Sequence, residues 1–157
     1  MARPHIEFIQ SQAVPWTIWG VASARPGAEG KVLSADTDTK AATVVMRYPA
    51  GWALHRPHYL ECDEELYVFE GALWVGSVEY KKGDYAYLPA GQPRPDMRSE
   101  TGAVVLTFFE GTPDLVFGEA PGPMYDAARL IAKIESEHLP WTDPADPIVA
   151  ATANGAG

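Results

Sequence analysis

Residues 48–71 read YPAGWALHRPHYLECDEELYVFEG, and a second stretch at 81–94 reads KKGDYAYLPAGQPR. In both, short runs of Val, Tyr, Phe and Leu are interrupted by Gly and Pro, which is the texture of β-strands joined by turns. The first stretch holds two of the four histidines, His55 and His58, just ahead of Glu61, Asp63, Glu64 and Glu65. Two imidazoles and a carboxylate are the ligand set of a facial triad, which grips Fe(II), Mn(II) or a related ion and leaves positions open for substrate or O₂. Neutral imidazole and ionised carboxylate coexist near pH 7, so no unusual pKa is required.

The rest of the chain agrees with a small β protein. Its 157 residues suffice for one domain with a sizeable core. Fourteen Gly and fourteen Pro punctuate it. Strands are expected at Ile6–Gln10, Trp16–Ala22, Thr43–Tyr48, Glu65–Glu70, Leu73–Ser77, Tyr85–Leu88 and Ala103–Phe109, with tight turns at Glu70-Gly71 and Lys82-Gly83-Asp84. Between Pro123 and Pro140 the period changes. Ala127, Leu130, Ile131, Ile134 and His138 fall at helical spacing and predict one amphipathic helix from Met124 to His138. Residues 1–140 are therefore expected to form one domain that includes this helix, and 141–157 a mobile tail.

Twelve Lys and Arg stand against twenty-one Asp and Glu, a formal charge of −9. Such an acidic surface argues against nucleic-acid and anionic-membrane partners, which need clustered basic residues. Cys62 is the single cysteine, so an intrachain disulfide or a multi-Cys metal site is excluded. No run approaches the roughly 20 apolar residues of a membrane span. A cytoplasmic protein acting on a small molecule is the expectation.

The residues resemble the cupin superfamily. Gly51, His55, His58, Glu64 and Gly71 follow the order of its first motif, a glycine, His-x-His, a glutamate and, after six intervening residues, a second glycine. Gly83, Pro89, Ala90 and Gly91 follow its second motif, but Arg94 stands where a histidine belongs. The resemblance implies an all-β fold, a double-stranded β-helix (jelly-roll) barrel of two facing sheets, here with one C-terminal amphipathic helix. It also implies a metal held by His55, His58 and Glu64, Glu64 being preferred to Glu65 by motif spacing, and a homodimer. Tyr87 aligns just before Leu88-Pro89, where inward residues are expected.

Two departures leave alternatives open. Side chains share a strand face at i and i+2, whereas His55 and His58 are three apart. Both reach one ion if the strand breaks at Pro57; otherwise one of them faces away. Arg94 cannot ligate a metal, because a guanidinium stays protonated. Either it grips the carboxylate or enolate of a substrate held opposite the metal, or it pairs with Glu64 in a barrel without an ion, or it turns to solvent.

The leading expectation is a metal-dependent enzyme acting on a small carbonyl, phenolic or carboxylate substrate. Fe(II) is the first choice of ion, with Mn(II) or Zn(II) as alternatives, and Arg94 and Tyr87 orient the substrate. Oxidative C–C cleavage by a dioxygenase comes first among reactions, with isomerase or lyase chemistry second. The rival is a metal-free binding or sensing module in which Arg94 and Glu64 hold a small anionic ligand. An interaction role stands third.

Overall fold

A computed structural model describes residues 3–18 and 23–137. Ten strands and one helix follow one another: β1 (Glu29–Ala35), β2 (Ala42–Tyr48), β3 (Trp52–Leu54), β4 (Tyr59–Leu60), β5 (Glu64–Val75), β6 (Val78–Lys81), β7 (Tyr85–Leu88), β8 (Met97–Ser99), β9 (Ala103–Phe109), β10 (Leu115–Val116) and α1 (Ala127–Ser136). All pairings are antiparallel. One sheet runs β1-β2-β9-β5-β8-β3, with β6 and β7 also on β5, and β10 pairs with β4 alone.

β5 organises this sheet. Its first half lies between β9 and β7, Glu64 pairing with Phe109 on one side and Leu88 on the other. Its second half pairs with β6 and β8 instead. One strand thus serves two layers and curls the sheet into a barrel, as a double-sheet jelly roll requires. Alternation fills the interior: Val44, Met46 and Tyr48 from β2, Leu66 and Val68 from β5, and Val105, Thr107 and Phe109 from β9 are all buried.

Several expectations are refined. The strands foreseen at Glu65–Glu70 and Leu73–Ser77 are one, β5, and Glu70-Gly71 is no turn. Register slips between Val68 and Glu70, after which the chain bends and continues. Gly71 makes that bend with φ +71°, and a Cβ there would collide with the Gly102 carbonyl oxygen. The stretch Ile6–Gln10 forms no strand; it has no ladder pairing among the described residues, and Ile6, Phe8 and Ile9 are exposed. Pairing begins with an isolated bridge from Thr17 to Gly30, while residues 19–22 of the second expected strand lie outside the described ones. β1 was not foreseen. Its EGKVLSA carries only two large apolar residues and two glycine-adjacent charges.

α1 is shorter than the predicted helix. None of its ten residues is buried, and Lys133 in its last turn lies 3.8 Å from Glu137. Both His138 and the expected tail fall outside the described residues. Among the described residues, no helix is long and apolar enough to cross a membrane.

Gly71→Ala is expected to destabilise the protein by about 3 kcal/mol, since strain at positive φ and a backbone collision coincide. Gly51 shares the positive φ, +79°, but has open space around it, so Gly51→Ala should cost only about 1 kcal/mol. Urea midpoints of the two variants check the difference.

Candidate functional site

The polar centre of the barrel is built on Glu64. As the first residue of β5 on its inward face, it is 1% exposed, while Glu65 turns outward and accepts from the Tyr85 hydroxyl at 2.6 Å. Two arginines close on Glu64. Arg25, in the turn before β1, donates through Nη2 to both carboxylate oxygens at 2.8 and 2.7 Å, and through Nη1 to the Ala24 carbonyl at 2.8 Å. Arg94 donates through Nη1 to Oε2 at 2.6 Å. Neither arginine has measurable exposure. Burial alone would raise the Glu64 carboxyl, but the Arg25 and Arg94 charges override it and hold the group below the ordinary carboxylate range.

His58 and Arg94 face one another across an isolated antiparallel bridge, with N···O distances of 3.0 and 2.8 Å in the two directions. Directly opposed residues of such a pair project to the same side, and both side chains are buried. The His58 Nδ1 lies 3.0 Å from the Arg56 carbonyl, which can only accept, so Nδ1 carries the hydrogen and Nε2 presents a lone pair. Burial, together with the charges of Arg25 and Arg94, lowers the ring to about 4 against an ordinary 6.5, and it is neutral at physiological pH.

Tyr48, Trp52 and Arg25 form the flank of this centre. The Tyr48 hydroxyl, pushed up to about 12 by burial, lies 3.7 Å from the Met46 sulfur. Its ring meets that of Trp52 edge-on, with centroids 4.7 Å apart, and the Trp52 indole N–H donates to the carbonyl of Pro26 at 2.8 Å.

Three ionised side chains are thus buried together with one positive charge in excess. Among the described residues, several polar atoms there lack a partner: Arg25 Nε, Arg94 Nε and Nη2, His58 Nε2, and Thr107 Oγ1. Thr107 pairs with Leu66 in the ladder, one inward position along from Glu64. Buried donors without acceptors are costly, and an uncompensated buried charge more so.

The expected metal triad is not assembled. Both Glu64 oxygens are already taken by guanidinium donors, and an incoming cation would be repelled by two positive charges. His55 sits exposed between β3 and β4 while His58 is buried. The chain does leave strand geometry over His55-Arg56-Pro57, yet this break does not bring the two rings to one point, since one is exposed and the other buried. Among the described residues, no three His, Cys, Asp or Glu side chains gather in a group that could hold an ion. The donor set does not fit a facial triad.

Tyr87 is also displaced from its expected place on the cavity wall. Leu88 pairs with Glu64 and is buried, so the alternation of β7 turns Tyr87 out. Its hydroxyl donates to Asp63 Oδ2 at 2.8 Å, and Asp63 Oδ1 accepts from the Ala90 N–H at 2.6 Å. Tyr87 therefore helps fix the loop after β7. Cys62 is buried, and burial raises its thiol further, consistent with an inert side chain. Arg25 was missed altogether. It sits in an Ala-Arg-Pro-Gly turn, and its partner is 39 residues away, so no local spacing announces it.

The profile of the ChrR cupin-like domain family matches residues 5–112. Among solved structures, a candidate dioxygenase from Nostoc punctiforme is similar with a TM-score of 0.55 and 21% identity, over 61% of this chain and 34% of that one. This chain therefore spans a minor part of the Nostoc protein. The acetylacetone dioxygenase of Acinetobacter johnsonii has a TM-score of 0.60 and 15% identity, over 85% of this chain and 95% of that one. The polyketide cyclase RemF of Streptomyces resistomycificus has a TM-score of 0.56 and 15% identity, over 74% and 90%. At such identities the likeness carries the fold and not the reaction. A search among curated proteins gives no significant match.

His58 generates a pH prediction. Its folded value of about 4 lies below the unfolded 6.5, so the unfolded chain binds more protons between these limits and stability falls as pH falls through them. The loss from this ring is about 3 kcal/mol at pH 4. Glu64, held low, adds a loss in the same direction below the ordinary carboxylate range. Urea unfolding followed from pH 7 to pH 4 should show a flatter slope in His58→Leu than in the wild type.

Proposed function

The chain belongs to the ChrR cupin-like family of the cupin superfamily, and we propose that its barrel binds a small anion on Arg94 and Arg25, as a metal-free binding or sensing module. One observation carries this reading: a buried Arg25–Glu64–Arg94 cluster with one positive charge in excess and with guanidinium N–H groups that have no acceptor among the described residues. A monoanion in contact with those groups would supply both the missing charge and the missing acceptors. In this reading Glu64 does not touch the ligand. It anchors the Nη groups of both arginines, so that the remaining donors are held ready and little ordering is needed on binding. His58 stays neutral and adds no further positive charge. The expectation of a cytoplasmic homodimer belongs to the same proposal.

A second reading, the metal-dependent enzyme, has one observation in its favour. His58 Nε2 is buried with its lone pair free, as a ligating nitrogen would be. An Fe(II), Mn(II) or Zn(II) ion would bring Lewis-acid or O₂ chemistry of the dioxygenase type, with isomerase or lyase chemistry as its non-oxidative counterpart. It would require Glu64 to give up both guanidiniums, which is why the anion module ranks first.

The two readings separate in one experiment. For the anion module, millimolar acetate, propionate and lactate should raise the thermal midpoint, with stability gained by about 2.7 kcal/mol at a hundredfold excess over Kd. Arg94→Gln should abolish the rise. Protein purified without chelator should hold less than about a tenth of an equivalent of any transition metal. Near-stoichiometric metal that is lost in His58→Leu, with no response to anions, would replace this reading by the second.

A further inference from the structure

The unpartnered atoms at the barrel centre differ in kind, and their pattern narrows the ligand. Arg94 gives only Nη1 to Glu64. The two nitrogens left over, Nε and Nη2, form the side edge of the guanidinium, whose parallel N–H groups match the two oxygens of a planar carboxylate. His58 offers the opposite polarity. Because Nδ1 donates to the Arg56 carbonyl, Nε2 can only accept, and no donor among the described residues reaches it. The two features belong to directly paired residues whose side chains leave the bridge on the same side. A site with an open fork beside an open acceptor calls for an anion that also carries an O–H.

Charge restricts the choice further. The cluster holds a single positive charge in excess, which a monocarboxylate cancels and a phosphate dianion overshoots. Chloride or a simple carboxylate satisfies the arginines yet leaves His58 unmet. Accordingly, and resting on the anion-binding reading above, we infer that the ligand is a monocarboxylate with a hydroxyl on the neighbouring carbon, the carboxylate lying on the side edge of Arg94 and the hydroxyl donating to His58 Nε2. Thr107 Oγ1, on the inward position next to that of Glu64, is a further hydroxyl without a partner among the described residues.

Titration calorimetry of the wild-type protein at pH 7.5 with matched pairs, glycolate against acetate and lactate against propionate, tests this directly. The hydroxy acid of each pair should bind about tenfold more tightly, the worth of one buried hydrogen bond, and methyl lactate should not bind. In His58→Leu the ratio within each pair should fall to about one; the wild-type panel decides the matter should that variant not fold. Equal affinities within both pairs would overturn the hydroxy-acid assignment and leave the anion module standing. No binding by any of the four acids would overturn the anion module itself.

Discussion

The barrel is organised around a carboxylate that could not be where it is without its two arginines. Moving Glu64 out of water costs several kcal/mol, and each guanidinium pays a similar penalty. Four short contacts, three to Glu64 and one to the Ala24 carbonyl, offset much of this. Their geometry also ties together parts of the chain far apart in sequence: the turn before β1, the start of β5 and the bridge between His58 and Arg94. Removing either arginine or the glutamate leaves the others charged and dry, which is far more damaging than replacing the whole set with apolar residues. Such a cluster is weak evidence for stability and good evidence that polarity at the centre has a use.

The apolar frame keeps the cluster dry. β5 lies between β9 and β7 where it carries Glu64, so the carboxylate is walled by Leu88, Phe109 and Leu66. A carboxylate in such a setting interacts strongly with neighbouring charges because little water screens it. The same dryness holds His58 neutral. The fold thus sets the protonation states of the centre before any ligand arrives.

Much of the fold was legible in the sequence. β9 was read with its boundaries, and β2 within one residue, because alternation with β-branched residues is unambiguous there. Gly71 was read as a turn because glycine at positive φ serves tight turns and bulges alike, and only the pairing of Glu70 and Gly71 with β9 tells them apart. In the site, spacing singles out Glu64, whereas strand parity says nothing of His55 and His58 once the chain leaves the strand between them, and only their burial tells them apart. Arg94 stands out in the sequence as a guanidinium in a histidine's place, and its pairing with Glu64 is one of the three arrangements that chemistry allows there. Tyr87 was misplaced because motif alignment took precedence over the register of β7, in which Leu88 opposes Glu64. Arg25 was illegible, since a salt bridge across 39 residues leaves no periodic trace.

The aromatic flank makes this centre visible from outside. Trp52 is nearly buried, rests edge-on against Tyr48, and donates to the carbonyl of Pro26, the residue that follows Arg25. A shift of the Arg25 backbone would pull on the indole hydrogen bond, and a new charge beside Arg25 would alter the field across the ring. With the other four tryptophans replaced by phenylalanine, the emission wavelength of this indole would report on events at the carboxylate without any label attached.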